Sequence, residues 1–352
     1  MKSPNPKSNC RTLAAVCVAA LALAACSRCS EVDSAGASAA VGLPGAVTAT
    51  DGSGPGLPVC VAWEPAKAAG LLVSDQLAEL SGLAVSRRHA GVLWTHNDAG
   101  NKARVYAIGG NGVHVATLKL KGTDARDWED IALGPCTAGG DRAADACLYL
   151  ADTGDNDLRH SVASILRFHE PKWVAPRRAD EPGRDDVASA AIERFSLAWP
   201  GAPRDVEAMA VLPDTRVILL SKRDDGRSEV LRVTLKPGTL GGVEVLGELD
   251  LRAPPLLKGG PVRVTAADLD DAGQLLLVRT YGLVALFEVG DALTSAPDVA
   301  TGLLAAVKRT ILAAATEAQG EAIAWDPSGG FWQASERSGK QPATLWRVGC
   351  AP

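Results

Sequence analysis

The chain has 352 residues, with 41 acidic and 36 basic side chains and a formal net charge of −5. Because contacts to phosphate need clustered Lys and Arg, this acidic chain is a poor nucleic-acid binder, and we expect no nucleic-acid partner. The sequence contains no G-x-S-x-G elbow, no H-E-x-x-H zinc helix and no Walker loop, which excludes the commonest serine-hydrolase, zinc-peptidase and nucleotide-hydrolase sites.

The N-terminus predicts an export signal. Lys2, Lys7 and Arg11 precede an apolar run over residues 13–25, which is too short to span a bilayer comfortably. The run ends in Leu23-Ala24-Ala25-Cys26, which resembles the lipobox of bacterial lipoproteins. The resemblance implies a signal peptide over 1–25 and a diacylated Cys26 as the new first residue. An ordinary secretory signal followed by a chance Cys stays open as the alternative.

Residues 26–58 predict a flexible tether, since they are mostly Ala, Gly, Ser, Pro and Val with little to bury. Two acyl chains on Cys26 would hold the protein on a membrane. We therefore expect the cell envelope, and the periplasm or outer membrane if the source is Gram-negative. Loss of 1–25 would shift the net charge to −8, because that segment carries three basic and no acidic residues.

A short apolar phrase recurs through the remaining residues, 59–352, and predicts a strand buried on both faces beside a crowded axis. Each copy is followed by a turn and a second apolar run, as at 92–95 and 147–150, and four units add a third run. The copies are Leu80–Val85, 128–133, Val206–Val211, Val264–Leu269 and Gly320–Trp325.

This repetition, without a helical period, predicts an all-β fold with a single β-propeller. We count five blades and expect the N- and C-terminal strands to close the ring. The longest interval between copies contains residues 172–186, rich in Pro, Arg and Asp, which predict a surface insertion. Six blades stay open if that stretch, or 59–77, forms an irregular blade.

The cysteines suit an oxidising compartment. Cys136 and Cys147 flank a turn between two strands and predict a hairpin disulfide. Cys60 and Cys350 lie at the two ends of the globular part, which ring closure brings together, and they predict a second disulfide. Cys29 has no assigned role.

Successive blade strands are antiparallel, so the start of each first strand and the end of each second strand share one mouth of the channel. The sequence therefore predicts a polar ring there. Its predicted ligand-binding members are His96, Asn97, Asp98, Arg223, Arg279, Tyr281 and Arg337, and its candidate catalytic members are Glu129, Glu207, Glu321 and His96.

Two interpretations of the acidic segments stay open. Carboxylate and amide oxygens on short turns are the ligands that Ca²⁺ prefers, at six to eight oxygens per ion. The same residues form Asx turns at blade corners without any ion. The candidate metal ligands are Glu129, Asp130, Asp152, Asp155 and Asn156.

The candidate catalytic groups also have plain structural alternatives. Converging glutamates would raise one another's pKa, as paired catalytic carboxylates do. The three arginines of the ring could instead neutralise them as ion pairs between blades. His96 is a candidate general base through Asp98, two residues on, but a satisfied structural histidine is the alternative.

The chain resembles exported bacterial propellers of the TolB-like, gluconolactonase-like and phytase-esterase-like groups over about residues 59–350. Four phrases carry the resemblance: Glu79-Leu80-Ser81-Gly82-Leu83, His96-Asn97-Asp98-Ala99-Gly100, Asp127-Trp128-Glu129-Asp130-Ile131-Ala132 and Gly154-Asp155-Asn156. The resemblance implies a divalent ion in the channel, with Glu129 and either Asn97 or Asn156 among its ligands. A full ligand set does not match.

Two functions follow as hypotheses. One is a lipid-anchored binding module that presents its channel mouth to a protein partner or a small ligand. The other is a Ca²⁺-dependent hydrolase of a phosphoester, lactone or glycoside. The first needs no nucleophile, and none stands out in the sequence.

Overall fold

Five blades surround a central axis in the computed structural model. It describes residues 60, 62–172, 185–188, 191–252, 262–295, 304, 307–312, 314–317 and 319–351, which belong to one unit, Thr50–Pro352. The predicted signal segment 1–25, Cys26, Cys29 and the tether lie outside these residues, as do 173–184 of the predicted insertion. Among the described residues, no helix is long and apolar enough to cross a bilayer.

Each blade is an antiparallel sheet, and its first strand lies at the axis. Blade 1 contains β3 (Leu80–Val85), β4 (Val92–Asn97), β5 (Arg104–Gly109) and β6 (His114–Lys119). Blade 2 contains β7 (Trp128–Pro135), β8 (Ala146–Asp152), β9 (Val162–His169) and β11 (Glu193–Ala198). Blade 3 contains β12 (Val206–Val211), β13 (Val217–Ser221), β14 (Arg227–Thr234) and β15 (Gly242–Asp250).

Blades 4 and 5 complete the ring. Blade 4 contains β16 (Val264–Leu269), β17 (Leu275–Thr280), β18 (Val284–Glu288) and β19 (Lys308–Leu312), with a 3₁₀ turn at Gly290–Leu293. Blade 5 contains β20 (Gly320–Trp325), β21 (Phe331–Ser335), β22 (Ala343–Val348) and, from the N-terminal side, β2 (Lys67–Leu72). The all-β class, the five blades and the closure by strands from both ends are confirmed.

The end of the predicted insertion adds a strand to blade 1 and forms no sixth blade. β10 (Asp185–Ala188) pairs in parallel with β6 at the outer edge of the sheet. This pairing covers backbone groups that an outermost strand would otherwise expose.

Ring closure is reinforced next to the chain ends. β1 (Ala62–Trp63) pairs with β23 (Cys350–Ala351), and a disulfide joins Cys60 to Cys350 across a Cα–Cα distance of 5.3 Å. A second disulfide joins Cys136 to Cys147. Both pairs are those that the sequence predicts. In the chain-entropy model, a loop as long as the first stabilises by roughly 6 kcal/mol, less any strain.

A buried carboxylate binds three blades together at the axis. The open edge of an inner strand has N–H groups that no neighbouring strand accepts. The Asp130 carboxylate of blade 2 accepts N–H bonds from Ile131 (2.8 Å), from Met209 of blade 3 (2.8 Å) and from Ala267 of blade 4 (3.1 Å). Asp268 repeats the arrangement by accepting from Trp325 of blade 5 at 2.8 Å.

The axis has little room, which explains the small residues of the repeated phrase. Gly82 of blade 1 has φ +69°, and a Cβ there would lie 2.8 Å from the Asp130 carboxylate and 2.7 Å from the Ile131 nitrogen. A side chain at this position would displace the axial carboxylate. Glycine is therefore required by both its backbone conformation and the close approach.

The loop that connects β7 and β8 lies across one mouth of the channel, here called the lower mouth. Arg142 donates to the Val211 carbonyl of blade 3 (2.9 Å) and to Asp271 after β16 (3.0 Å). Arg88 after β3 donates to the Ala144 carbonyl at 3.0 Å. The loop of blade 2 thus contacts blades 1, 3 and 4, and the Cys136–Cys147 disulfide joins its two ends.

Replacing the axial carboxylate should destabilise the whole ring. Asp130→Asn keeps one acceptor oxygen but turns an amide donor towards backbone N–H groups. We expect it to lower the free energy of unfolding by about 1–3 kcal/mol, and Asp130→Ala to lower it further. Urea denaturation measures the change. Asp157→Asn, at an exposed loop carboxylate, is the control and should leave the midpoint unchanged; equal midpoints for all variants would contradict the role of Asp130.

Candidate functional site

A β-bulge in each inner strand marks the opposite, upper mouth of the channel. In β7 the pairs Trp128↔Asp152 and Asp130↔Ala151 leave Glu129 as the extra residue. The same offset makes the extra residue Glu207 in β12, Thr265 in β16 and Glu321 in β20. Bulges redirect a side chain and interrupt pairing. The three candidate glutamates therefore occupy equivalent positions around the axis.

Backbone hydrogen bonds extend three blades by one pair beyond the strands and place further polar groups at the upper mouth. The Asp98 N–H donates to the Glu79 carbonyl (2.8 Å), Thr153 N–H donates to Asp127 (3.1 Å), and Lys222 N–H donates to Asp205 (2.9 Å). In these three blades, the start of the first strand and the end of the second strand therefore lie together at the upper mouth, as predicted.

Asp98, Asp127 and Glu129 form an acidic cluster between blades 1 and 2. One oxygen of each carboxyl lies within 4.8 Å of an oxygen of the other two. Gly154 makes room for this cluster, because a Cβ there would lie 1.9 Å from Glu129 Oε1 and 2.7 Å from Asp127 Oδ2. Three carboxyl groups so close together repel one another unless a proton or a cation is shared between them.

The electrostatics of this cluster follow from burial first and from repulsion second. Burial, with repulsion from Asp98 and Asp205, raises the pKa of Asp127 to about 6. Burial, with repulsion from Glu207, Asp98 and Asp127, holds the pKa of Glu129 well above its usual range. Glu129 shares hydrogen bonds with the carboxyl groups of Asp127 and Glu207. A proton held between these carboxyl groups relieves the repulsion within the cluster.

Lys222 lies on the other side of the mouth. Its Nζ donates to Glu207 Oε1 at 2.8 Å and lies 5.5 Å from the centre of the Tyr281 ring. Burial raises the pKa of Glu207 to about 7, although Lys222 opposes this shift. Burial also raises the pKa of Glu321 to about 8, although Glu321 accepts a hydrogen bond from Gln319 at 2.5 Å.

The five candidate metal ligands do not form one donor set. Asp130 lies at the axis on three backbone N–H groups, so it is not at the mouth. Asp152 binds the Asp127 N–H (3.0 Å) and Ser164 (3.1 Å), while Asp155 accepts from the Arg159 and His160 N–H groups. Asn156 is exposed. Asp152 and Asp155 thus have the corner-building role that the sequence left open, and Glu129 remains in the cluster.

His96 and Asn97 are held by the fold. His96 is fully buried, its Nδ1 lies 3.0 Å from the Asn97 carbonyl, and it packs edge-on against Trp128. Burial lowers its pKa to about 4, so it is neutral at physiological pH. The Asn97 amide donates to the Gln76 carbonyl at 2.6 Å and accepts from the Glu79 N–H at 3.3 Å.

The three arginines of the predicted ring do not pair with the three glutamates. Arg223 binds Glu248 and Asp225 at 2.5 Å, on the outer side of blade 3. Arg279 is fully buried between blades 4 and 5, where it binds Glu317 and Gln333. Arg337 donates to the Ser74 carbonyl at 3.0 Å. The cation at the mouth is Lys222, next to Arg223 in sequence.

Asp127, Asp205 and Lys222 are the mouth residues that sequence reasoning did not select. Each of the three lies directly before an inner strand or directly after a second strand. The predicted strand ends therefore did place them near the upper mouth. Adjacent residues on a strand face opposite sides, however, so only one of Lys222 and Arg223 can face the mouth, and residue type does not tell which because both are basic.

No family model and no curated protein matches the chain. Among solved structures it is similar to the PQQ-bound form of aldose sugar dehydrogenase from Streptomyces coelicolor, with a TM-score of 0.40 and 13% identity. That match covers 81% of this chain and 98% of the other.

The buried glutamates predict a stability that falls between pH 6.5 and 8.5 in metal-free buffer. The pKa of Glu321 is raised to about 8 from a usual 4.5, so in this window the folded chain keeps a proton that the unfolded chain has lost. Glu207, raised to about 7, acts in the same direction. His96 acts oppositely, but only between about pH 4 and 6.5.

Urea denaturation at three pH values in EDTA measures this slope, which is at most about 1.4 kcal/mol per pH unit for each titrating group. Glu321→Gln should flatten it, because the amide is neutral throughout. Glu288→Gln, at an exposed carboxylate paired with Lys308, should retain the wild-type slope. A slope that Glu321→Gln leaves unchanged would refute the assignment.

Proposed function

We propose that this protein is an envelope-anchored binding module whose upper channel mouth binds a divalent cation, with Ca²⁺ as the preferred ion. The observation that carries the proposal is the cluster of Asp98, Asp127 and Glu129, whose oxygens lie within 4.8 Å of one another. Three carboxylates offer up to six oxygens, and water would complete the six to eight that Ca²⁺ takes.

The charge of the mouth supports a cation in the same way. Glu129 is 3% exposed and shares hydrogen bonds with the carboxyl groups of Asp127 and Glu207, each of which needs a proton between two acidic groups. An ion would replace the shared protons that otherwise relieve this repulsion. Gly154 supports the proposal independently, since the absence of a side chain leaves the space that the two carboxylates of blade 2 occupy.

The anchoring part of the proposal depends on the N-terminal sequence. The lipobox-like Leu23-Ala24-Ala25-Cys26 would attach the chain to a membrane through Cys26, and residues 26–58 would separate the propeller from the lipid. The mouth would then be presented in the cell envelope to a protein partner or a small ligand, with the bound ion as part of the surface that is recognised.

A calcium-dependent rise in thermal stability tests the cation site. A soluble chain beginning near Val59 should unfold at a higher temperature with Ca²⁺ than in EDTA, because a ligand at 100 times its Kd stabilises by about 2.7 kcal/mol. Mg²⁺, Mn²⁺ and Zn²⁺ provide the comparison. If none of the four ions shifts the unfolding temperature, the proposal is wrong, and the acidic turns have a structural role only.

Variants separate the cluster from general charge effects. Asp127→Asn and Glu129→Gln should abolish the calcium-dependent shift while folding in EDTA at least as stably as the wild type, since each removes repulsion. Gly154→Ala should also abolish it, because the methyl group displaces both carboxylates. Glu288→Gln is the matched control for Glu129→Gln and should keep the full shift.

A second candidate function is a Ca²⁺-dependent hydrolase, and one observation favours it. Asp127, Glu207 and Glu321 have pKa values raised to about 6, 7 and 8 at a single mouth, the range that general acids and bases use. Such a spread supplies one protonated and one ionised carboxyl at neutral pH.

Turnover of model substrates tests this second function. Phosphoester, lactone and glycoside substrates are assayed with Ca²⁺ and with EDTA. An enzyme should lose turnover in Glu207→Gln while its stability stays equal or rises. Loss of stability together with any ligand binding would instead identify Glu207 as a structural carboxylate.

A further inference from the structure

The upper mouth already contains one cation, and the chain itself supplies it. The Lys222 ammonium binds Glu207, which shares a hydrogen bond with Glu129 of the acidic cluster, and its charge lowers the pKa of six carboxyl groups of the mouth. They are Asp98, Glu129, Asp205, Glu207, Glu321 and Glu336. Asp98 and Glu129 belong to the acidic cluster, so an ion bound there would lie in the field of Lys222.

Lys222 is held where it lies. Its Nζ donates to Glu207 Oε1 at 2.8 Å, its side chain is 13% exposed, and the Tyr281 ring lies 5.5 Å from the ammonium. Its backbone N–H donates to the Asp205 carbonyl at 2.9 Å, which positions the start of the side chain at the rim. The ammonium is therefore a fixed charge of the site and not a mobile surface lysine.

A fixed ammonium has opposite effects on the folded chain and on an incoming ion. It lowers the repulsion among the carboxyls, which stabilises the empty mouth. It also repels a divalent cation that enters the mouth, and the lower effective dielectric beside the protein strengthens this repulsion. Removal of its charge would make the empty mouth more acidic and more attractive to cations.

We propose that Lys222 is the built-in counter-ion of the channel mouth and that it weakens the binding of external cations to Asp98, Asp127 and Glu129. The proposal rests on the cation site of the proposed function. It assigns Lys222 as an affinity-determining residue and not as a ligand. The mouth thereby stays folded without an ion and releases a bound ion more readily than its carboxylates alone would allow.

Isothermal titration calorimetry with CaCl₂ measures how the charge of Lys222 affects Ca²⁺ affinity. Lys222→Gln keeps an N–H donor for Glu207 but removes the charge, and we expect it to bind Ca²⁺ at least tenfold more tightly than the wild type. Lys222→Arg keeps the charge and should bind within about threefold of the wild type. Lys222→Met is the second uncharged variant, in case Lys222→Gln does not fold in EDTA.

Ionic strength distinguishes a coulombic effect of Lys222 from a structural one, because a purely structural effect on Ca²⁺ affinity would not depend on salt. The affinity ratio between Lys222→Gln and the wild type should shrink as KCl rises from about 50 to about 500 mM, since the repulsion is coulombic. Equal or weaker Ca²⁺ binding by both uncharged variants, with the wild type still binding, overturns the counter-ion proposal alone. Absence of Ca²⁺ binding in every variant overturns the cation site and this proposal together.

Discussion

The ring depends on how the inner strands satisfy the N–H groups that face the axis. Among the described residues no strand lies along the axis to accept them, and Asp130 is fully buried there, so the acceptor comes from a side chain. Asp130 provides it for blades 2, 3 and 4, and Asp268 provides it for blade 5. Burial raises the pKa of Asp130, and the three N–H bonds oppose that rise, so the fold and the charge of this group are linked.

The axial carboxylate also separates the two mouths. On its lower side, the loop of blade 2 covers the channel through Arg142 and Asp271. On its upper side, the bulges turn three glutamates outward along the axis. Strand β7 therefore carries two adjacent carboxyl groups with different roles. Asp130 is a buried structural acceptor, and Glu129 faces the upper mouth.

The sequence predicted the strands and the blade count because burial on both faces requires apolar residues and the narrow axis requires small ones. Its error at Asp130 has a physical cause. Glu129 and Asp130 are both acidic and adjacent, and composition cannot tell which of them the bulge directs to the mouth. Likewise, Arg223 was selected where Lys222 lies at the mouth, because the two residues are adjacent and both basic, and only one of them faces the mouth. Partners from different blades, such as Asp98 and Glu129, depend on how neighbouring blades pack around the axis.

Eight carboxyl groups interact at the upper mouth among the described residues: Glu79, Asp98, Asp127, Glu129, Asp205, Glu207, Glu321 and Glu336. Lys222, together with Arg126 near Asp127, Arg263 near Asp205 and Arg279 near Glu321, provides fewer positive charges than these carboxyls carry when all are ionised. Protons or external cations must therefore take up the remainder. The raised pKa values of Glu207 and Glu321 indicate that protons take up part of this charge near neutral pH. In the proposed function, a metal ion would replace the protons shared among Asp98, Asp127 and Glu129.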